Sequence, residues 1–136
     1  MSTELMSQKI KLLSNFRQNL IKLFDDLIGE FPAEGDFIAL RIFFDQQMPI
    51  EDVMEGFIYE MLKPNVREMI KQRNEEFFLE HNSLFKALSN SKVDYHKRLW
   101  RQMDTDNKNI LWQYMDAFVY FGTKYQEITR KLSQHV

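Results

Sequence analysis

Cysteine is absent from the 136 residues, which removes a disulfide framework, a thiolate metal site and cysteine nucleophile chemistry together. That absence fits a reducing compartment without establishing one. Four glycines and three prolines are too few for the many tight turns of a sandwich or barrel. No apolar run reaches the roughly 18 residues that a transmembrane helix needs, so no membrane span is expected. The opening residues Met1, Ser2, Thr3, Glu4 and Leu5 do not form a charged region followed by an apolar one, so no secretory signal is expected either. Charge of one sign is also missing. With a net charge of −2 and a pI of about 5.9, the surface as a whole does not suit nucleic acid, which could be held only by a local basic patch.

What is present is a globular balance, 44% hydrophobic against 28% charged residues, and not the composition of a disordered chain. Twelve phenylalanines lead an aromatic content of 14%, a load heavy enough for part of it to serve a partner. No linker, repeat or low-complexity stretch divides the chain, so residues 1–136 are read as one α-helical domain.

Periodicity marks six helical segments. The first covers residues 3–29, with Leu5, Leu12, Phe16, Leu20, Leu23 and Leu27 along one face, and ends at Phe31-Pro32. The second, 36–47, has Asp36 as its expected N-cap. Phe37, Ile38, Leu40, Ile42, Phe43 and Phe44 run around nearly its whole girth, leaving Arg41 and Asp45 as a narrow polar strip. Such a helix is usually central and buried. The third starts at Pro49 and is stopped by Pro64, the fourth covers 65–79, and a break is expected at Asn82-Ser83 before a turn with Leu84, Phe85 and Leu88. The fifth covers 92–103. The sixth runs from Thr105, as N-cap, to about 134, with Ile110, Leu111, Met115, Phe118, Tyr125 and Leu132 on its core face. At 1.5 Å per residue it would reach about 43 Å; either Gly122 interrupts it or its last turns project. The expected fold is an all-α compact bundle of five to six helices, the second and sixth near the centre.

The chemistry-bearing residues are sparse. His81, His96 and His135 are scattered without metal-ligand spacing, and Glu75, Glu76 and Glu80 find no second matching helix, so no metal or cofactor is expected. No nucleophile elbow, P-loop or dinucleotide fingerprint occurs, and no catalytic residue is assigned. Arg73 falls on the apolar side of the fourth segment, where a guanidinium needs a carboxylate; a buried ion pair with Glu76 is expected, with recognition of an acidic group as the other reading. Lys97, Arg98 and Arg101, with Lys92, Trp100 and His96 close by, form a small basic patch that could neutralise phosphates, although Asp94, Asp104 and Asp106 surround it. On the last helix Trp112 and Val119 lie about 100° from the core stripe and Tyr120 nearly opposite it. They serve either a second core face or an interface with another chain.

Several blocks carry a resemblance: Phe31-Pro32-Ala33-Glu34-Gly35-Asp36-Phe37-Ile38-Ala39-Leu40-Arg41-Ile42-Phe43-Phe44, Met48-Pro49-Ile50-Glu51-Asp52-Val53-Met54, and Ile70-Lys71-Gln72-Arg73-Asn74-Glu75-Glu76-Phe77-Phe78. Lys97-Arg98-Leu99-Trp100, Asn107-Lys108-Asn109-Ile110-Leu111-Trp112 and Asp116-Ala117-Phe118-Val119-Tyr120 complete the set. Over residues 12–125 the arrangement resembles small uncharacterised helical proteins of large double-stranded DNA viruses of algae and protists. The resemblance implies a viral protein acting in the host cell cytoplasm or packaged in the virion; it implies no chemistry, since none of the blocks is a catalytic signature. The expected function is that of a non-catalytic interaction or structural protein, self-associating or binding a protein partner through Trp112, Val119 and Tyr120. The alternative is a nucleic-acid-associated accessory protein using Lys97, Arg98 and Arg101.

Overall fold

Leu13, Phe16, Leu20 and Phe24 recur at three- and four-residue spacing, and all four are buried along one side of α1, Ser2–Glu30. The computed structural model describes residues 2–81 and 93–134, and seven α-helices lie within them. After α1 come α2 (Gly35–Ile42), α3 (Ile50–Met61), α4 (Pro64–Lys71), α5 (Glu75–His81), α6 (Val93–Gln102) and α7 (Thr105–Gln134). The fold is an all-α compact helical bundle, with one helix more than the upper count expected because the fourth segment is two helices. The expected start at Lys92 and the break and turn at Asn82, Ser83, Leu84, Phe85 and Leu88 lie outside the described residues, as does His135. No described helix is long and apolar enough to cross a membrane.

Helices α1 and α7 form an antiparallel pair. Asn107 donates to Glu30 at 2.9 Å, Tyr114 to Asp26 at 2.5 Å, the Phe16 and Phe118 rings meet at 5.5 Å, and Lys9 Nζ stands 5.6 Å from the Tyr125 ring. Chain positions thus fall along α1 as they rise along α7. The last helix runs unbroken through Gly122, whose bare Cα lets α3 come close: a Cβ there would lie 2.9 Å from Leu62 Cδ1. No break is needed, because α1 accompanies α7 to the level of Tyr125. The cap of α7 is Asp104, not Thr105: its carboxylate accepts the Asn107 N–H at 2.8 Å. Asp36 likewise lies inside the first turn of α2 and does not cap it.

The fourth predicted segment divides at Arg73. The Asn74 N–H bonds to the Met69 carbonyl and the Arg73 N–H to that of Ile70, each at 3.0 Å, the paired bonds that close a helix on a left-handed residue. Arg73 is that residue, at φ 55°. Asn74 then starts α5, its side-chain oxygen accepting the Phe77 N–H at 3.1 Å. The left-handed site gives a test. Arg73→Gly and Arg73→Ala both lose the guanidinium, but only Gly relieves the backbone, so urea unfolding should place the Gly variant about 1 kcal/mol above the Ala variant.

Two apolar clusters result. Leu13, Phe16, Phe24, Phe37, Met54, Phe118 and Tyr125 hold α1, α2, α3 and α7 together. Met61, Val66, Ile70, Phe78, Trp112 and Met115 join α3, α4, α5 and α7. Two tyrosines of α7 sit against carboxylates. Burial and then Glu55 push the Tyr125 hydroxyl up to about 12, and burial with Asp26 pushes Tyr114 upward as well. A phenol held protonated in the folded state stabilises it fully below its unfolded value near 10, and that contribution disappears as pH rises toward 12. Unfolding midpoints should therefore fall steeply above about pH 10, and less steeply in Tyr125→Phe.

Candidate functional site

The three last-helix residues expected at an interface separate. Trp112 is 6% exposed and belongs to the core, which corrects its assignment as an interface anchor. Its ring meets Phe78 and Trp100 edge to face at 5.6 and 5.5 Å, and the Arg73 guanidinium lies 5.7 Å from it. The reason is that α7 is covered on two sides. α1 and α3 take one face, while α4, α5 and α6 take the adjacent one, so a residue about 100° off the first stripe is also interior. Val119 is half-buried against the second cluster and lines a groove with Arg67, Glu68 and Lys71. Tyr120 alone of the three stands clear, 57% exposed, with Lys124 Nζ 5.9 Å from its ring.

Arg73 does not pair with Glu76. Its two terminal nitrogens meet the Asp116 carboxylate of α7 at 2.8 and 2.5 Å, and one also donates to the Ile70 carbonyl at 3.0 Å. Asp116 holds the guanidinium above its already high ordinary value, chiefly by these hydrogen bonds. The expected pair fails because the helix ends at Arg73, so the three-residue spacing to Glu76 spans a turn and not a helical face. The pair is not buried either: the Arg73 and Asp116 side chains keep 39% and 50% exposure, and such a surface pair stabilises by about 1 kcal/mol at most. It ties the turn after α4 to α7, and the fork of its two terminal nitrogens is taken by Asp116.

On α6, Arg98 and Arg101 are exposed and Lys97 is half-buried. The aromatic part of the expected patch is used internally. Trp100 donates its indole N–H to Glu75 while its ring meets Trp112, and Arg98 lies 5.8 Å from the Tyr95 ring. Glu75 also accepts from Lys108 at 2.7 Å, which with the Trp100 bond keeps its carboxyl below the usual range. Trp100 is therefore committed to the α5–α7 contact and not free to stack a base. Lys92 and the side chain of His96 lie outside the described residues.

The largest departure from the sequence reading is at α2. The central place expected for it is not what its burial gives. Arg41 of its polar strip pairs with Asp25 of α1 at 2.6 Å while keeping 36% side-chain exposure, and Arg17 of α1 donates to the backbone carbonyl of Asp45 at 2.8 Å. Phe37 is buried and Phe44 stacks on Phe24 at 5.6 Å, so these point inward. The exposed positions beside that pair are uncharged. Ile38, Ile42 and Phe43 are 44%, 42% and 41% exposed, and the other exposed positions of this stretch are Gly35, Ala39, Gln46 and Gln47. The stretch continues past Ile42 as one wider π turn, Phe43–Gln47, which turns Phe43 outward while Phe44 stays inside. The T-shaped contact of Phe43 with Phe44, at 5.4 Å, props the outer ring on the inner one.

Among the described residues no group of three histidine, aspartate or glutamate side chains is placed to hold a metal ion. Comparison of the chain with protein-family models, curated proteins and solved structures found no match to any of them.

Proposed function

We propose that this chain is a non-catalytic helical interaction protein that self-associates, and that the outer face of α2 is the contact. The observation that carries the proposal is the exposed apolar side of that stretch: Arg41 is neutralised by Asp25 of α1 while Ile38, Ile42 and Phe43 face outward. A surface helix ordinarily shows the opposite arrangement, and a contiguous uncharged face on a soluble bundle marks a contact with another chain. The occupant is a second copy. An uncharged face needs no complementary charge, so it matches itself across a two-fold axis, and the stretch is tied to α1 by the Arg41–Asp25 pair and the Arg17 bond before any partner arrives. This moves the interface expected on the last helix to α2, because Trp112 is interior. The resemblance to proteins of large double-stranded DNA viruses adds that assembly takes place in an infected cell or in the virion.

Light scattering across a dilution series tests it. The wild-type chain should show twice its 16.5 kDa mass at high concentration, and Ile42→Ser combined with Phe43→Ser should be a folded monomer. Each buried side chain contributes roughly 1.5–3 kcal/mol and each change occurs twice, so dissociation should be favoured by more than about a hundredfold. A monomer at every concentration, or an assembly indifferent to both serines, contradicts the proposal.

A further inference from the structure

A cavity of about 120 Å³ lies where α1, α5, α6 and α7 converge, away from the exposed side of α2. Leu23, Leu79, Leu99, Met103, Trp112 and Met115 supply much of its wall. The polar groups that also border it are engaged elsewhere. Glu75 accepts from Lys108 and Trp100, which uses the Trp100 indole N–H, and the Tyr114 hydroxyl donates to Asp26. The wall is almost wholly apolar, so water inside it finds few of the two to four polar partners that would hold it in place. An empty cavity leaves its lining without contacts on one side, which a guest of the right shape restores.

We propose that this cavity is a binding site for a small neutral apolar molecule of about single-ring size. A comparable volume lined by aliphatic and aromatic side chains accommodates benzene. An anion is repelled by the Glu75 carboxylate at the edge, and a cation would leave water for an almost wholly apolar wall whose one carboxylate among the described lining residues is already paired with Lys108. A hydroxyl is disfavoured, because nearly all of the wall is apolar and the Glu75 oxygen at the edge already accepts two hydrogen bonds. The proposal stands independently of self-association, since the two sites are on different parts of the molecule.

Benzene, phenol and benzoate are the probes. Both tryptophans of the chain, Trp100 and Trp112, line the cavity, so their indole N–H resonances in a nitrogen-15 spectrum report on it directly. Benzene should shift both indole signals and raise the melting temperature by a few degrees. Phenol should bind at least about tenfold more weakly, as a hydroxyl against an apolar wall requires, and benzoate should do nothing. Leu99→Phe and Leu79→Phe fill the space from two different helices, and whichever of them keeps the wild-type circular dichroism should lose the response to benzene. Unmoved indole signals at saturating benzene would overturn the proposal. So would an equal melting response in a folded, filled variant, or phenol binding as tightly as benzene.

Discussion

Replacing Trp112 with alanine should destabilise the fold by about 3–5 kcal/mol, the range for removing a large buried aromatic. Trp112 is where α5, α6 and α7 meet: its ring contacts Phe78 from one helix and Trp100 from another, and carries the Arg73 guanidinium above it. Alanine would remove all three contacts at once and enlarge the cavity that Trp112 borders. Partial collapse is hindered because Phe78 and Trp100 are fixed by other partners, Trp100 by its bond to Glu75. Urea unfolding measures the loss directly. The contrasting case is equally definite: a tryptophan acting as an interface anchor would leave monomer stability unchanged and weaken assembly only.

Phe16→Ala should be of similar size and should act on the other cluster. Phe16 is buried on α1 and meets Phe57 of α3 at 6.2 Å, and Phe118 and Phe121 of α7 at 5.5 and 6.4 Å. It therefore joins three helices through tilted and edge-to-face contacts, each worth about 0.5–1.5 kcal/mol beyond the area it buries. A loss of about 3–5 kcal/mol would take a large part of the roughly 5–15 kcal/mol that holds a domain folded. The melting temperature should fall on the order of 10–20 °C. Phe43→Ala is the matched control: the same chemical change on an exposed ring should move the melting temperature of the dilute monomer by little.

Residues with a single clear apolar stripe were legible from the sequence. The apolar spacing puts the first helix at residues 3–29, and it spans Ser2–Glu30; it puts the last from 105 to about 134, and that helix spans Thr105–Gln134. Two kinds of position were not legible. A stripe shows one buried face, and α7 has two, so the spacing alone leaves Trp112 open between a second core face and an interface, while Ile110, on the expected core face, is 41% exposed. Apolar girth does not say which side turns inward, and on α2 the deciding partners, Asp25 and Arg17, belong to another helix. The division at Arg73 did leave a local signal: Asn74 followed by Glu75 and Glu76 has the pattern of a cap with an acidic first turn. Continuity of the apolar spacing from Ile70 to Phe77 masked it. The partner of Arg73 was out of reach for the same reason as that of Arg41, since Asp116 is far along the chain.

The absence of native cysteine makes the assignment of the contact face directly measurable. Single cysteines would be introduced at Ile38, Ile42, Phe43 and, as the comparison, Tyr120, and each variant oxidised mildly at a concentration where the mass is doubled. A disulfide forms only where two Cα atoms approach within about 7 Å, which happens close to a two-fold axis. The proposal predicts a covalent dimer from at least one of Ile38, Ile42 and Phe43 and none from Tyr120→Cys. A covalent dimer from Tyr120→Cys alone would return the interface to the last helix and contradict the assignment to α2.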